Sequence, residues 1–293
     1  MKKQVYKESI TVRKDLDFGL DSDDIPRYWV AGDPFVTRVL DAVQSTFPDG
    51  ERYFIASVRA FKSQITNPDL LREVQDFMQQ EGQHGMVHSR YNERLRRQGI
   101  NIDAFTKRTK VICNRRLEKF SPEYNVAVTA ALEHFTAMMA DLFFAEKLVL
   151  EGADYRVRAM LAWHAIEEME HKAVAFDVMQ QVAGVKYSQR ALAMTHIALL
   201  FSLYCFVAPW FMLRMDGFSR TERLKMYGKG TLWLFGPRRG IFTRLVPMLA
   251  AYYKPGFHPN KMKTVHNYSN WITAYGANGD PLQAAEAMYE AAA

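Results

Sequence analysis

The sequence predicts an all-α fold, in which a bundle of central helices is followed by further helices toward the C-terminus. Two long segments, over about residues 122–150 and 154–182, have no internal proline and are dominated by helix formers. No stretch of alternating β-branched residues indicates a sheet. The unit Glu-x-x-His also occurs twice, and its spacing places both side chains on one face of a helix.

The predicted helix boundaries follow from proline, glycine and capping residues. Pro48 and Gly50 interrupt a run of apolar residues at helical spacing and separate the first two helices. Asn67 caps the third helix, and Asp154 starts the fifth. The helices predicted for the bundle cover about residues 35–47, 51–61, 69–97, 122–150 and 154–182.

The composition indicates a globular chain with a substantial core. Of the 293 residues, 48% are hydrophobic, and the net charge of +6 is spread over short basic clusters that we interpret mainly as solvated faces. No nucleic-acid-binding module is visible, so we expect no such partner. Cys113 and Cys205 form no C-x-x-C pattern, and the N-terminus has no apolar segment typical of a signal peptide. We therefore expect a cytoplasmic protein.

The metal-ligand pattern is the strongest functional signal in the sequence. Each Glu-x-x-His unit offers a carboxylate and an imidazole, and each is preceded by one further glutamate, at separations of 30 and 35 residues. Two such units with two further glutamates are the ligand set of helical bundles that hold two metal ions. Without an ion, so many inward polar groups would be costly to bury. The predicted ligands are Glu51, Glu81, His84, Glu133, Glu168 and His171.

Some of these assignments leave alternatives open. Glu51 follows Gly50 at the predicted start of a helix, where a glutamate could simply interact with the helix dipole. Glu167 competes with Glu168, but the Glu-x-x-His spacing favours Glu168 and places Glu167 or Glu170 on the outside. His164 and His88 lie near the same helix faces. These two histidines and Glu167 are candidates for additional ligands or for partners that orient a ligand, with hydrogen-bonded core histidines as the alternative.

The last third of the chain is more apolar. Residues 191–213 carry no formal charge, and this length could span a bilayer, for which roughly 20 residues suffice. We weigh a helix buried against the bundle, a membrane anchor, and one wall of an apolar substrate channel. Residues 231–253 form an amphipathic, partly basic segment that suits a surface-lying element or an ordinary docking helix. The protein is accordingly expected to associate with the inner face of the membrane, if it contacts a membrane at all.

These features divide the chain into three parts within one structural domain. They are an extended N-terminal segment over residues 1–34, a di-metal helical bundle over 35–187 and a helical extension over 188–293 that packs on the bundle. A short helix is predicted after Gly279. A homodimer through apolar helix faces is the default expectation for such a bundle.

The sequence resembles the bacterial family described as "predicted metal-dependent hydrolase" over about residues 25–265. The motifs that carry this resemblance are Phe47-Pro-Asp-Gly-Glu51, Glu81-Gly-Gln-His84, Trp163-His164, Glu167-Glu168-Met-Glu170-His171 and Tyr253-Lys-Pro-Gly-Phe-His258-Pro. The ligand pattern also resembles that of the ferritin-like di-iron carboxylate oxygenases and oxidases. We give this second resemblance more weight, and it implies a ferritin-like four-helix bundle.

The leading functional interpretation is therefore a di-iron oxidoreductase that activates O₂ and hydroxylates, desaturates or N-oxygenates an apolar substrate. It would hold two iron ions, with manganese or zinc as alternatives. Electrons would come from a separate donor protein, because no flavin or dinucleotide motif is visible. The alternatives are a metal-dependent hydrolase that activates water with two metal ions and a non-catalytic iron-binding or ferroxidase protein.

Overall fold

The computed structural model describes residues 5–147 and 149–292, and within these ranges the protein is helical and forms no β-strand. The all-α prediction is therefore confirmed. Whether the core is a ferritin-like four-helix bundle stays a prediction. The helices are α1 Pro34–Arg59, α2 Pro68–Arg97, α3 Ile102–Lys119, α4 Pro122–Phe144, α5 Tyr155–His171, α6 Val174–Asp177, α7 Tyr187–Met215, α8 Arg220–Phe235, α9 Ile241–Tyr252, α10 Tyr268–Asn278 and α11 Pro281–Glu290.

Helix α1 corrects the prediction of two separate helices around Pro48. The helix starts at the N-cap Asp33, whose side chain accepts from the backbone N–H of Val36, and then continues through Pro48 to Arg59. Proline removes one backbone hydrogen bond and usually breaks or kinks a helix. Here α1 packs against α2, α4 and α7, and this tertiary packing outweighs the local preference. Glu51 therefore lies in the interior of a helix and not at its start.

Three further boundaries differ from the prediction. Helix α4 ends at Phe144, and α5 ends at His171, beyond which α6 and a short π-helical segment, Val178–Val182, continue the chain. The amphipathic segment over 231–253 is divided between α8 and α9, because Gly236 and Pro237 separate them. Helix α3 was missed altogether, since only Ile102 is buried in it and it carries no apolar stripe.

The outer elements pack around the four helices that carry the predicted ligands. The N-terminal segment up to Asp33 has no helix among its described residues. It lies against α2, where the carbonyl of Thr11 accepts from Gln80, and against α5, where Arg13 donates to Glu167. Helices α10 and α11 pack on each other, and α11 also packs on α5. Helix α7 packs with one side on α1 and α4. Helix α8 packs on α7, and α9 packs on α8 and α4. The predicted short terminal helix is α11.

Among the described residues, α4 and α7 are long and apolar enough to cross a membrane by length and composition alone. Helix α4 is mostly buried inside the protein, as the core helix of a globular fold would be. Helix α7 is different, because most of its apolar surface remains outside the protein core. Membrane association is therefore indicated only weakly by these two helices, and α7 is the one that bears on it.

Candidate metal centre

The six predicted ligands converge from four helices on one buried cluster. Their side chains project inward from α1, α2, α4 and α5, and each residue is almost inaccessible to solvent. They are Glu51 on α1, Glu81 and His84 on α2, Glu133 on α4, and Glu168 and His171 on α5.

One group of four ligands surrounds the Nε2 atom of His171. This nitrogen lies 3.2 Å from Oε1 of Glu81, 3.2 Å from Oε2 of Glu133 and 3.6 Å from Oε2 of Glu168. Ligand atoms of these four residues lie within 4.8 Å of one another, which is compact enough to hold one metal ion. Three carboxylates and one imidazole form a donor set that suits iron, manganese or zinc.

A second group lies next to the first and shares one of its residues. Ligand atoms of Glu51, Glu81 and His84 also lie within 4.8 Å of one another, and Nδ1 of His84 is 3.8 Å from Oε1 of Glu81. Glu81 belongs to both groups, and its Oε1 is the oxygen that faces both His171 and His84, so this carboxylate lies between the two groups. The cluster therefore offers two adjacent coordination positions.

The polar atoms of the cluster fit a bound metal ion. Within the described part of the chain, both carboxylate oxygens of Glu51, Glu81 and Glu133 lack a hydrogen-bond partner, as do Nδ1 of His84 and Nε2 of His171. Buried polar atoms in native proteins are nearly always satisfied, and an unpaired buried carboxylate is especially costly. Eight such atoms pointing into one small volume indicate that a cation is the missing partner.

The pKa shifts of the carboxylates also indicate that the cluster binds a cation. Burial, reinforced by neighbouring carboxylates, raises the pKa of Glu51 and Glu81 well above its ordinary value, and burial raises that of Glu133 to about 7. Burial alone would also raise the pKa of Glu168, but His171 and His164 hold it well below the usual range. In the absence of a cation, Glu51, Glu81 and Glu133 therefore tend to retain protons, which metal binding would displace.

Gln80 fixes the orientation of His171. Its amide nitrogen donates to Oε2 of Glu170 at 2.8 Å, so its oxygen faces Nδ1 of His171, also at 2.8 Å. Because an amide oxygen can only accept, Nδ1 of a neutral His171 carries the proton. Burial alone would lower the pKa of His171, but Glu168 and Glu133 raise it well above its ordinary value, so a metal ion would displace the second proton from Nε2.

Glu167 orients His84 in the same way as Gln80 orients His171. Its Oε2 lies 3.0 Å from Nε2 of His84, and its Oε1 accepts from the indole N–H of Trp163 at 2.9 Å. Burial lowers the pKa of His84 well below its ordinary value. The neutral ring therefore keeps its proton on Nε2 and directs the Nδ1 lone pair into the cluster. The expectation that Glu167 lies on the outside is wrong, because it is fully buried.

Arg13 links the side chains that orient the two ligand histidines, contacting Glu167 directly and Gln80 through Glu170. Its guanidinium donates to Glu167 at 3.1 Å and to Glu170 at 2.7 Å, and all three side chains are buried. Glu170 in turn accepts from Gln80. One arginine from the N-terminal segment therefore holds the two carboxylates behind both ligand histidines.

The two additional histidines lie at the other end of the cluster. Nε2 of His164 is 2.8 Å from Oε1 of Glu168, and its Nδ1 is 2.6 Å from Nε2 of His88. The hydroxyl of Thr136 donates to the other oxygen of Glu168. Ligand atoms of His164 and His88 also come within 4.8 Å of Glu51. Both histidines are thus next to the ligands, as an additional ligand or an orienting partner must be.

Sequence reasoning missed Arg13, Gln80 and Thr136. Thr136 had a usable signal, because it follows Glu133 by three residues and must share its helix face. Arg13 lies in a segment without periodicity, and Gln80 is one of many polar residues on α2. Neither residue carries a local pattern that would have identified it.

An apolar pocket leads from the cluster toward α7, α8 and α9. At its inner end it is bordered by Thr136, His164 and Glu168. Most of the remaining lining is apolar or aromatic and comes from α1, α4, α5 and the three C-terminal helices. These lining residues include Val39, Val43, Phe47, Met139, Phe143, Leu161, Phe201, Cys205, Trp233, Leu234, Ile241 and Phe242. The expectation that the 191–213 segment forms part of an apolar channel agrees with this lining.

The fold and the cluster together define an all-α metal-dependent protein with buried carboxylate and imidazole ligands. The chain belongs to the family described as "predicted metal-dependent hydrolase", whose model matches residues 12–263. The resemblance found in the motifs is therefore confirmed. No curated protein and no solved structure matches the chain.

This family membership overturns the leading functional interpretation. The prediction of an O₂-activating di-iron oxidoreductase is wrong, because the family is one of metal-dependent hydrolases. The error has a physical reason: carboxylates and imidazoles bind redox-active metals and purely Lewis-acidic metals alike, so the ligand types do not separate oxidation from hydrolysis. The separate electron-donor protein was expected only as part of this oxidoreductase interpretation. The hydrolase alternative is the one that the family supports.

Proposed function

We propose that the protein is a hydrolase that uses two metal ions, bound side by side in the carboxylate–histidine cluster, to cleave an apolar substrate with water. The observation that carries this proposal is the set of eight unpartnered ligand atoms in one buried cluster at the end of an apolar pocket. Membership in the hydrolase family supports the type of reaction. Iron, manganese and zinc are the candidate metals.

Each of the two ligand groups would hold one metal ion. Glu133, Glu168 and His171 would hold one ion, Glu51 and His84 the other, and Glu81 would contact both. When bound, such a pair of ions lowers the pKa of water and polarises the oxygen of the bond that is cleaved. The buried supports behind the histidines keep their lone pairs directed at the ions.

The inner end of the pocket supplies the groups that meet the substrate. His164 borders the pocket and is hydrogen-bonded to Glu168 on one side and His88 on the other. Its ring is placed to accept the proton that the attacking water releases and to donate that proton to the leaving group. Thr136 helps to hold Glu168 in place. The apolar lining excludes bulk water from this region and selects for a hydrocarbon substituent.

The test combines metal analysis with hydrolysis assays. We expect about two metal ions per chain and metal-dependent hydrolysis of p-nitrophenyl acyl esters, with rates that increase from the acetyl to longer acyl groups. Glu81→Gln should remove both the metal and the activity, because Glu81 belongs to both ligand groups. The matched control is Glu93→Gln, the same substitution at an exposed site on the same helix, and it should change neither.

Two results would contradict the proposal. Protein that holds no stoichiometric metal after loading with iron, manganese or zinc would exclude a metal centre at this cluster. Protein that holds two ions but hydrolyses neither acyl esters nor phosphodiesters would exclude the hydrolase. Equal loss of metal in Glu93→Gln would show that the effect is not specific to the cluster.

A further inference from the structure

Helices α7, α8 and α9 present one continuous apolar surface to the outside of the protein, which we call the outer face. On α7 its residues recur every four positions and so form one ridge along the helix. Single exposed leucines are ordinary, but contiguous apolar patches of this kind mark interaction sites. The exposed residues of the outer face are Leu199, Leu203, Val207 and Phe211 on α7, Leu224, Leu232 and Phe235 on α8, and Val246 on α9.

Shallow grooves join the three helices into a single surface. One is lined by Val207 and Phe211 of α7 together with Leu224 of α8. Another is shared by Leu203 and Phe235, and a third adds Val246 of α9 beside Phe235. The exposed side chains are therefore neighbours across helices.

The same part of the chain accounts for the net positive charge of the protein. Residues 187–253 contain nine arginines and lysines and only two acidic residues, whereas the whole chain has 38 basic and 32 acidic residues. The remainder of the chain is thus almost neutral. Among the described residues, six exposed basic side chains of this region take part in no ion pair. They are Arg214, Arg220, Lys225, Lys229, Arg238 and Arg239.

We infer that the outer face lies on an anionic lipid bilayer and that the pocket takes the acyl chain of a lipid substrate from it. An apolar face bordered by unpaired basic residues is what anionic membrane surfaces bind. The outer wall of the pocket is built by the same three helices, through Phe201, Cys205, Trp233 and Phe242. An acyl chain that leaves the bilayer at the outer face therefore meets an apolar path toward Glu168 and His164.

The packing of α7 indicates that the helix lies on a membrane and does not span it. Its inner side contributes buried residues such as Met194, Ile197 and Met212 to the core against α1 and α4. The hydroxyl of Tyr204 donates to the carbonyl of Ala42 on α1. A transmembrane orientation would remove these contacts, whereas binding through the outer face preserves them all.

A second copy of the chain is the less favourable occupant. In a symmetric dimer the same patch faces itself, so the six exposed basic residues of each protomer would be brought together with no acidic partners on that surface beyond Glu222. Like charges brought together oppose association. Anionic lipid, in contrast, complements both the apolar and the basic component.

Vesicle sedimentation tests the docking step without relying on activity. We expect the metal-loaded protein to bind phosphatidylcholine vesicles that contain phosphatidylglycerol, and to bind pure phosphatidylcholine vesicles much less. Leu199→Ser with Leu203→Ser should weaken binding at least about tenfold. Lys225→Gln with Lys229→Gln should weaken it roughly fivefold for each lysine removed and reduce its dependence on salt.

Matched controls are available on α3, none of whose residues lines the grooves of the outer face. Lys107→Gln with Lys110→Gln, and Val111→Ser with Ile112→Ser, replace exposed residues with the same chemistry, and vesicle binding should be unchanged. Absence of binding to both kinds of vesicle would overturn the inference. So would concentration-dependent dimerisation that the Leu199→Ser and Leu203→Ser changes abolish, because a second copy would then cover the outer face.

The assignment of a lipid acyl substrate rests on the proposed hydrolase, but its failure can be recognised separately. Protein that binds vesicles and hydrolyses soluble esters, yet is not accelerated by presenting a long-chain ester in phosphatidylglycerol vesicles, would reject the membrane substrate alone. Protein that binds vesicles and hydrolyses nothing would reject the proposed function and leave the docking surface supported.

Discussion

The metal centre and the outer face depart from the usual distribution of residues in opposite directions. In the metal centre four glutamates and two histidines are buried in the middle of the protein. On the outer face, two leucines, a valine and a phenylalanine are exposed in a row along α7. The usual arrangement is the reverse, with charged residues outside and large apolar residues inside. Each region is therefore incomplete by itself, and each indicates the chemistry of what completes it.

The difference between the two lies in how the rest of the protein supports them. The ligands are held by a connected buried network that reaches from His84 and His171 to Arg13. The outer face has no such network, because its side chains make few contacts outward and its helices are held only from their inner side. A change in the support of the metal centre should therefore be much more damaging than a change on the outer face.

The largest effect is expected for Arg13→Met. This change leaves the carboxylates of Glu167 and Glu170 buried without their cationic partner, and breaking a buried ion pair in this way costs about 3–5 kcal/mol. The free energy of unfolding of the metal-free protein, measured in urea, checks this expectation. Arg13→Lys should restore part of the loss, because it keeps the charge but not the forked geometry.

The matched control is Arg52→Met. Arg52 also pairs with a carboxylate, that of Asp49, but its side chain is 62% exposed. Exposed ion pairs contribute about 0–1 kcal/mol. If Arg13→Met and Arg52→Met destabilise the protein equally, the Arg13 network does not support the centre as described.

A smaller effect, on metal affinity more than on folding, is expected for Gln80→Leu. The change removes the acceptor that holds the Nδ1 proton of His171, and loss of such an orienting partner costs roughly 10–100-fold in metal affinity. Competition with a chelator of known affinity measures it. Gln79→Leu, an exposed neighbour on the same helix, should bind metal as the unchanged protein does.

The candidate ligands could be identified from the sequence because the pattern that marks them is local. The Glu-x-x-His spacing is a property of one helical turn, and its repetition, each time with a preceding glutamate, is improbable by chance. The placement of the six residues in one cluster agrees with this prediction. The all-α fold was predictable for the same reason, since helix formers and the absence of alternating patterns act locally.

The residues that orient the ligands, and some of the helix boundaries, could not be predicted because they depend on contacts between residues distant in the sequence. Arg13 lies more than 150 residues from Glu167, and no periodicity relates them. Pro48 is a local breaker that packing on several sides of α1 overrides. The ligand pattern could not predict the reaction type either, because the same residue types bind metals that catalyse oxidation and metals that catalyse hydrolysis. The hydropathy of residues 191–213 identified an apolar helix but not which of its sides stays exposed.

The smallest effect is expected for Leu203→Ser on the outer face. Leu203 is 57% exposed, so the free energy of unfolding should change by no more than about 0.5 kcal/mol. On the same helix, Leu213 is fully buried, and Leu213→Ala should cost about 2–5 kcal/mol. Urea unfolding of the two variants measures the difference between the two sides of α7. If Leu203→Ser is as destabilising as Leu213→Ala, Leu203 belongs to a core, which would mean that another chain already covers the outer face in solution.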